Sequence, residues 1–247
     1  GKRLKTARLK GRGRYYASPV AGDGKVYFAS TNGVVTVVSA EGKWKVLSSY
    51  DFGEGINATP ILKDGRVYIR TNKGAENFRL MWTAELKTAE DQWQEVTPGS
   101  QEIFLSDFEV FDDFIVLEER EEGLNRIRVR EMKDGKMHTI DFGEAAYSAW
   151  TDTNLQFDTE WLRYGFSSLK TPSSLYEYNM RTRERRLLKR QPVLGGYDPE
   201  QYTTERHFVT AGDGTKVPLS IVYRRDAFRK DGTCPLLLYA YGSYGYS

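Results

Sequence analysis

Read as apolar and polar positions, the chain is a succession of short alternating runs, most of them closed by Gly, Asp or Pro. Alternation with period two marks a strand with one buried face, and the Val, Ile, Tyr and Phe filling these runs favour pleated backbone. The segment Ala17-Ser-Pro-Val-Ala-Gly-Asp-Gly-Lys-Val-Tyr-Phe-Ala-Ser-Thr-Asn-Gly33 returns as Ala58-Thr-Pro-Ile-Leu-Lys-Asp-Gly-Arg-Val-Tyr-Ile-Arg-Thr-Asn-Lys-Gly74, every matched pair 41 positions apart. In each copy Pro opens an extended stretch, Asp-Gly makes a tight hairpin turn, and the β-branched and aromatic run after it is a strand. A period of ~40 to 50 residues built of short strands is the signature of β-propeller blades.

The rhythm continues. Phe114 to Glu118, Arg126 to Arg130, Trp161 to Phe166 and Leu175 to Asn179 read as strands, and Lys133-Asp-Gly-Lys136 as a turn. Asp51-Phe-Gly-Glu54 reappears as Asp141-Phe-Gly-Glu144, 90 residues on, or about two blades. Only Thr83 to Gln94 has a pattern that a helix could carry. Residues 1–190 therefore predict about four blades of antiparallel sheet. Residues 191–203, opened by Gln191-Pro-Val-Leu-Gly-Gly-Tyr-Asp-Pro199, read as a linker. From 204 to 247 the pattern changes to a hairpin with its turn at Gly212-Asp-Gly214, then the apolar run Pro235-Leu-Leu-Leu-Tyr-Ala-Tyr241. Runs apolar on both faces belong to central strands covered by helices, so the start of an α/β domain is predicted here.

Composition narrows the function. The 247 residues are 39% hydrophobic and 13% aromatic, ample material for a core. The 36 Lys and Arg nearly balance 34 Asp and Glu, which argues against a dedicated nucleic-acid or membrane-surface binder. Mean hydropathy is −0.59 and no apolar run reaches the ~20 residues of a membrane helix, so a soluble chain is expected. Cys234 is the single cysteine, which excludes an internal disulfide and a four-cysteine zinc site and suits a reducing compartment. Residues 1–16 hold seven bases (Lys2, Arg3, Lys5, Arg8, Lys10, Arg12 and Arg14) and no acid, leaving 29 bases against the 34 acids elsewhere. A phosphate-binding patch or targeting peptide would look like this, but a solvated edge strand with Leu4 and Leu9 turned inward is the favoured reading. The start at Gly1 without Met suggests a processed or cut-out chain.

Little of the polar content has catalytic spacing. No Gly-x-Ser-x-Gly elbow occurs, although Gly245-Tyr-Ser247 could be the first half of one. Gly242-Ser-Tyr-Gly245 reads more naturally as the glycine turn after an early hydrolase strand, where a loop contributes to an oxyanion hole. His138 and His207 are the two histidines, 69 positions apart with no motif joining them, so no metal site is expected and both read as ordinary surface or strand residues. The acidic stretch of Asp107, Glu109, Asp112, Asp113, Glu118, Glu119, Glu121 and Glu122 could attract basic peptides, but reads better as a solvated hairpin. Arg181-Thr-Arg-Glu-Arg-Arg-Leu-Leu-Lys-Arg190 could bind phosphate, but reads better as exposed charge on an outer strand. Cys234 is expected to be inert and buried.

From about residue 67 the chain resembles a known family. Val67-Tyr-Ile-Arg-Thr-Asn72, Asn77-Phe-Arg-Leu80, Leu117-Glu-Glu-Arg120, Phe157-Asp-Thr159, Leu162-Arg-Tyr-Gly165, Thr171-Pro-Ser-Ser174, Leu194-Gly-Gly-Tyr-Asp198, Val217-Pro-Leu-Ser-Ile-Val-Tyr-Arg224 and Leu238-Tyr-Ala-Tyr-Gly-Ser-Tyr-Gly245 together look like the oligopeptidase B type of the prolyl oligopeptidase family. The resemblance implies a β-propeller capping an α/β-hydrolase domain, in a cytoplasmic serine peptidase without cofactor that cleaves short peptides after Arg or Lys. It assigns Tyr241, the second tyrosine of its Tyr-x-Tyr-Gly segment, to the oxyanion hole. The nucleophilic serine and the triad aspartate and histidine fall beyond Ser247 in the family, and so do the carboxylates that read the basic side chain. The family's helical segment before the propeller has no counterpart here. This chain alone is therefore expected to be inactive. Residues 1–66 resemble instead the quinoprotein-like propeller repeats named for pyrroloquinoline quinone, on Tyr16-Ala-Ser-Pro-Val20, Gly24-Lys-Val-Tyr-Phe28 and Asp51-Phe-Gly-Glu-Gly55, with no residues to hold a quinone. A natural fusion, a gene-model join and an engineered hybrid would each produce such a chain. Two readings follow. One is the propeller and first catalytic strands of a serine oligopeptidase; the other is a non-catalytic propeller scaffold. Uncovered strand edges predict self-association in either case.

Overall fold

The computed structural model describes residues 8–9, 13–22, 24–41, 45–53, 56, 61–85, 87 and 89–241. The chain divides into two compact units, Gly1–Ser100 and Gln101–Ser247. Both are built from antiparallel sheets whose strands pair in chain order. Among the described residues no helix is long and apolar enough to cross a membrane.

The first unit holds two four-stranded sheets. Sheet 1 is β1 (Val20–Gly22), β2 (Lys25–Ala29), β3 (Val34–Ser39) and β4 (Val46–Asp51); sheet 2 is β5 (Ile61–Lys63), β6 (Arg66–Thr71), β7 (Arg79–Ala84) and β8 (Gln94–Thr97). The 41-residue repeat is the structural repeat. Its two Val-Tyr runs are β2 and β6, with Tyr27 and Tyr68 both buried. The second turn is Asp64-Gly65, with φ of 49° and 68°, the pair of positive values a tight hairpin needs and Gly supplies without strain. Ala17, Tyr27, Ala29, Val35 and Val37 form a small core with Phe52, Ile56 and Leu62 against it. A Lys25–Glu85 ion pair at 2.6 Å joins sheet 1 to the end of β7.

The second unit holds two further four-stranded sheets and a hairpin. Sheet 3 is β9 (Ile103–Val110), β10 (Phe114–Glu121), β11 (Leu124–Glu131) and β12 (Met137–Thr139); sheet 4 is β13 (Tyr147–Thr151), β14 (Trp161–Ser168), β15 (Ser174–Asn179) and β16 (Arg185–Arg190). The hairpin is β17 (Tyr202–Thr210) and β18 (Lys216–Arg224). Phe114, Val116, Ile127 and Val129 of sheet 3 pack against Ala149, Leu162, Tyr164 and Phe166 of sheet 4, with Phe142 stacked on Phe166 at 5.4 Å. Each fully buried side chain of this size contributes about 1.5–3 kcal/mol. The repeated Asp-Phe-Gly is one device used twice: Asp51 and Asp141 each accept the amide two residues on, at 2.9 and 2.8 Å, and Phe52 and Phe142 each turn toward a core.

Several expectations are corrected. Thr83 to Gln94 is not a helix: Thr83 and Ala84 finish β7, a single 3-10 turn spans Glu90–Gln92, and β8 begins at Gln94. Thr83 is buried opposite Val67, and its hydroxyl bonds to the Lys87 carbonyl, so strand pairing overrides the helical spacing. The basic head forms no strand in its described residues 8–9 and 13–19; Arg14 instead bonds to Thr31 through its amide and carbonyl. Leu4, Ala58 to Pro60, Glu54 and Gly242 to Ser247 lie outside the described residues. The run from 235 to 241 has no strand pairing. An apolar run supplies two hydrophobic faces but not the neighbouring strands that must satisfy its backbone, and β18 ends at Arg224.

Gly165 of β14 pairs with Trp150 of β13, and a side chain added there would fall on the indole ring. Gly165→Ala is therefore expected to destabilise the chain by about 1–3 kcal/mol, seen as a lower urea midpoint. Adding Trp150→Leu should recover most of that loss; an unchanged midpoint in the single variant would show that the indole does not cover this glycine.

Candidate functional site

The polar chemistry of the second unit gathers at the hairpin and at the seam between sheets 3 and 4. In the hairpin, the turn Gly212-Asp-Gly214 is set by Asp213 accepting the Thr215 amide at 2.9 Å and by Gly214 at φ 89°. Nine residue pairs then run in register from Thr210↔Lys216 to Tyr202↔Arg224. Alternation sorts the side chains onto two faces. One face carries Glu205, His207 and Tyr223. Glu205 accepts the Tyr223 hydroxyl at 2.5 Å and meets His207 Nε2 at 2.8 Å, with Lys230 3.9 Å away. The Tyr223 bond, then the His207 bond, hold the Glu205 carboxyl below its ordinary range, and the same Glu205 bond pushes the Tyr223 phenol up.

The other face meets sheet 3. Arg206 donates to the carbonyl of Glu122, and its guanidinium lies 5.3 Å from the Phe208 ring. Glu122 and Gly123, at φ 52° and 77°, are the two-residue turn joining β10 to β11. Together with Phe208, Lys216 and Pro218 they line an open cleft of about 560 Å³. Burial pushes the Arg206 pKa down. Before the hairpin, Tyr197 donates to the Lys170 carbonyl at 2.5 Å and its ring meets Tyr202 at 5.4 Å. Asp198 caps the turn Pro199–Gln201 by accepting the Glu200 amide at 2.9 Å. The Gly/Pro-rich segment is thus tied to sheet 4 at Tyr197 and, at its start, by the Gln191 amide, which donates to the Ser173 carbonyl at 2.8 Å.

At the seam, Glu118 of β10 accepts both the amide and the hydroxyl of Thr151, the last residue of β13. Asn154 donates to Glu109 at 3.0 Å and to the Asp152 carbonyl at 2.8 Å, and accepts the Arg163 amide at 2.7 Å. Burial pushes Glu109 up to about 7; Glu118 and Asp107 add to the shift and the Asn154 bond opposes it. The expected solvated acidic hairpin is corrected in part: Asp107, Asp112, Asp113 and Glu122 are exposed, but Glu109, Glu118, Glu119 and Glu121 are wholly or partly buried. Glu119 is only 4% exposed and ion-paired to Arg128, Glu121 pairs with Arg126 at 2.8 Å, and Asp113 pairs with Arg181 at 2.6 Å. The ion pairs of Glu119, Glu121 and Asp113 knit strands together.

The remaining candidates fall apart spatially. Tyr241 is 59% exposed and outside any strand. His138 of β12 bonds to the Tyr178 hydroxyl at 2.9 Å, with burial, then Arg183, pushing its pKa down. Ser220 sits on the hairpin face opposite Glu205 and His207, so no hydroxyl of that strand completes a triad with them. Cys234 is half-buried, not buried, and its Sγ accepts the Arg229 amide at 3.2 Å. No group of three metal-ligating side chains exists among the described residues. Asn154 and Thr151 escaped the sequence reading because their partners lie 45 and 33 positions away.

Residues 36–191 match the family described as prolyl oligopeptidase, N-terminal beta-propeller domain. That match takes in residues 36–66, and the quinoprotein-like resemblance of residues 1–66 finds no support in it. Among curated proteins, "Dipeptidyl aminopeptidase BI" of Pseudoxanthomonas mexicana is 44% identical over 184 residues, covering 74% of this chain and 25% of that one. "Protease 2" of Moraxella lacunata is 34% identical over 177 residues, covering 72% and 25%. The chain spans about a quarter of the length of these relatives. Among solved structures, oligopeptidase B from Trypanosoma brucei in its closed form superposes with a TM-score of 0.70 at 24% identity, over 90% of this chain and 33% of that one.

The Glu109 shift has a definite sign. Its folded pKa of about 7 lies above the ordinary 4.5, so the native state holds the proton more tightly. The associated stability is complete below about pH 4.5 and is lost as pH rises through about 7. Glu109→Gln keeps an acceptor for Asn154 and carries no charge. It is expected to raise the urea midpoint at pH 8 and leave it nearly unchanged at pH 4.5; equal effects at both values would count against a titrating Glu109.

Proposed function

Because the chain belongs to the prolyl oligopeptidase family, through its N-terminal β-propeller domain, we propose that it carries the propeller and opening catalytic strands of a cytoplasmic serine oligopeptidase of oligopeptidase B type, which cleaves short peptides after Arg or Lys. The observation that supports this most is the order of parts. Four four-stranded sheets come first, then a linker pinned at Tyr197, a separate hairpin, and an apolar run ending at Tyr241. In this reading the run from 235 to 241 becomes a central strand of the hydrolase sheet, and the Tyr241 hydroxyl donates to the oxyanion of the tetrahedral intermediate. The propeller acts as a size filter over an interdomain site, and the nucleophile, base and orienting acid come from polypeptide beyond Ser247.

The 44% identity to a protein named as a dipeptidyl aminopeptidase favours a second specificity within the same chemistry, release of dipeptides from a free amino terminus. Arg-containing reporter peptides with free and with blocked amino termini separate the two.

This chain alone is expected to leave both reporters intact and to take up no fluorophosphonate. In the longer polypeptide read through from Ser247, Tyr241→Phe should lower kcat about 10²-fold or more with little change in KM. Cleavage by the chain alone, or a native polypeptide that stops at Ser247, would overturn the reading, the latter leaving a non-catalytic scaffold. The run from 236 to 239 is strongly exposed, with Leu237 at 91%. The isolated chain should therefore self-associate, and a sharp monomer peak in sizing chromatography at micromolar concentration would contradict that.

A further inference from the structure

Strand β16 closes sheet 4 as an outer edge, and all six of its residues are exposed. Four of them are Arg185, Arg186, Lys189 and Arg190, and Arg183 lies in the turn just before. Neighbouring cations are neutralised: Arg181 pairs with Glu160 and Asp113, and Arg186 with Glu184. Arg183, Arg185, Lys189 and Arg190 form no ion pair with a carboxylate among the described residues. Two of these are nevertheless held in place by neutral groups. Arg190 donates to the Tyr176 hydroxyl at 3.0 Å and to Ser174 Oγ at 3.2 Å, and Arg185 to the Asp141 carbonyl at 3.4 Å.

Cations on an edge strand also serve to repel other strands. If that were their purpose here, the other outer strands would carry them too. The outer strands of sheets 1 to 3, β4 (VLSSYD), β8 (QEVT) and β12 (MHT), contain neither Lys nor Arg. Among these last strands positive charge is confined to β16; of the first strands at the opposite edges, only β5 carries a cation, Lys63, and that one is paired with Asp64. The β16 edge also exposes Leu187 and Leu188, and it runs directly into a pocket of about 280 Å³ lined by Pro172, Arg190, Pro192, Val193, Tyr197 and Pro199.

We propose that the outer edge of β16 docks an extended acidic segment of a partner polypeptide, which adds a fifth strand to sheet 4 and lodges an apolar side chain in the pocket at the strand's end. An unpaired edge supplies a row of backbone donors and acceptors that a peptide strand satisfies. The register puts Arg185 on one face of the sheet with Tyr178, and Lys189 on the other with Leu175, so acids on both faces of an added strand meet a cation. A polynucleotide uses cations that track phosphates and has no use for the edge amides or for Leu187 and Leu188.

A fluorescein-labelled peptide of alternating Glu and Thr ending in Leu, titrated with the 247-residue chain by fluorescence anisotropy, tests this. Saturable binding at micromolar concentration that weakens with salt is expected, with slowed amide exchange at residues 185–190. Lys189→Glu, whose side chain makes no ion pair in the structure, should weaken binding about fivefold or more while its circular dichroism and thermal midpoint stay unchanged. Methylating alternate peptide amides should abolish binding. The proposal is overturned by no binding, by equal binding of the methylated peptide, by unchanged exchange at 185–190, or by a deoxythymidine oligomer of equal charge binding as tightly.

Discussion

Everything in the second unit depends on one contact, the apolar face of sheet 3 laid on the apolar face of sheet 4. A four-stranded meander cannot bury either face by itself, so each sheet is stable only against a neighbour. Here the neighbour is the next sheet in the chain. Phe114, Val116, Ile127 and Val129 meet Leu162, Tyr164 and Phe166, with Phe142 and Tyr176 completing an aromatic layer in which Tyr164 and Tyr176 stack at 5.4 Å. On the opposite face of β14, away from this layer, Gly165 lies directly across from Trp150, and any side chain there would collide with the indole.

The polar seam follows from the same packing. Bringing two sheets face to face buries the carboxylates of β9 and β10 unless groups on the second sheet answer them. Thr151 answers Glu118 with two donors, and Asn154 answers Glu109 with one. Burial, with Glu118 and Asp107 adding to it, pushes Glu109 up to about 7 against the Asn154 bond. The seam is thus specific in its geometry and sensitive to protons at Glu109.

How much of this was legible in the sequence depends on the range of the interaction involved. Local chemistry could be read directly. Asp-Gly turns, the Val-Tyr strands and the repeated Asp-Phe-Gly stand where their spacing put them, because each is decided within a few residues. The acidic stretch was only partly legible: Arg126 and Arg128 on the next strand pair with Glu121 and Glu119, but the partners of Glu118, Glu109 and Asp113, which are Thr151, Asn154 and Arg181, come from sheet 4 and its connections and have no local signal. The apolar run at 235–241 fails in the opposite way. Its pattern is strong, yet a pattern fixes only which faces would be buried, and neighbouring strands must do the burying. Tyr241 therefore carries its assignment from family resemblance alone.

The attachment of the hairpin shows what kind of joint follows the four sheets. Arg206 reaches a backbone carbonyl at Glu122, not a carboxylate, and the cleft beside it is open. A cation on a neutral acceptor contributes less than a paired charge, and truncating the Glu122 side chain would leave the acceptor in place. On the linker side the fixed points are again neutral, the Tyr197 hydroxyl on the Lys170 carbonyl and the Gln191 amide on the Ser173 carbonyl. Single hydrogen bonds to main-chain oxygens orient the hairpin without a large hydrophobic interface to lock it. Relative motion of packed parts is the default where the contact between them is small and polar, so the joint is built to define a direction while permitting movement. The hairpin's opposite face, where Glu205 gathers Tyr223 and His207, is organised within the hairpin itself and needs no support from the sheets. Its geometry would survive such movement intact.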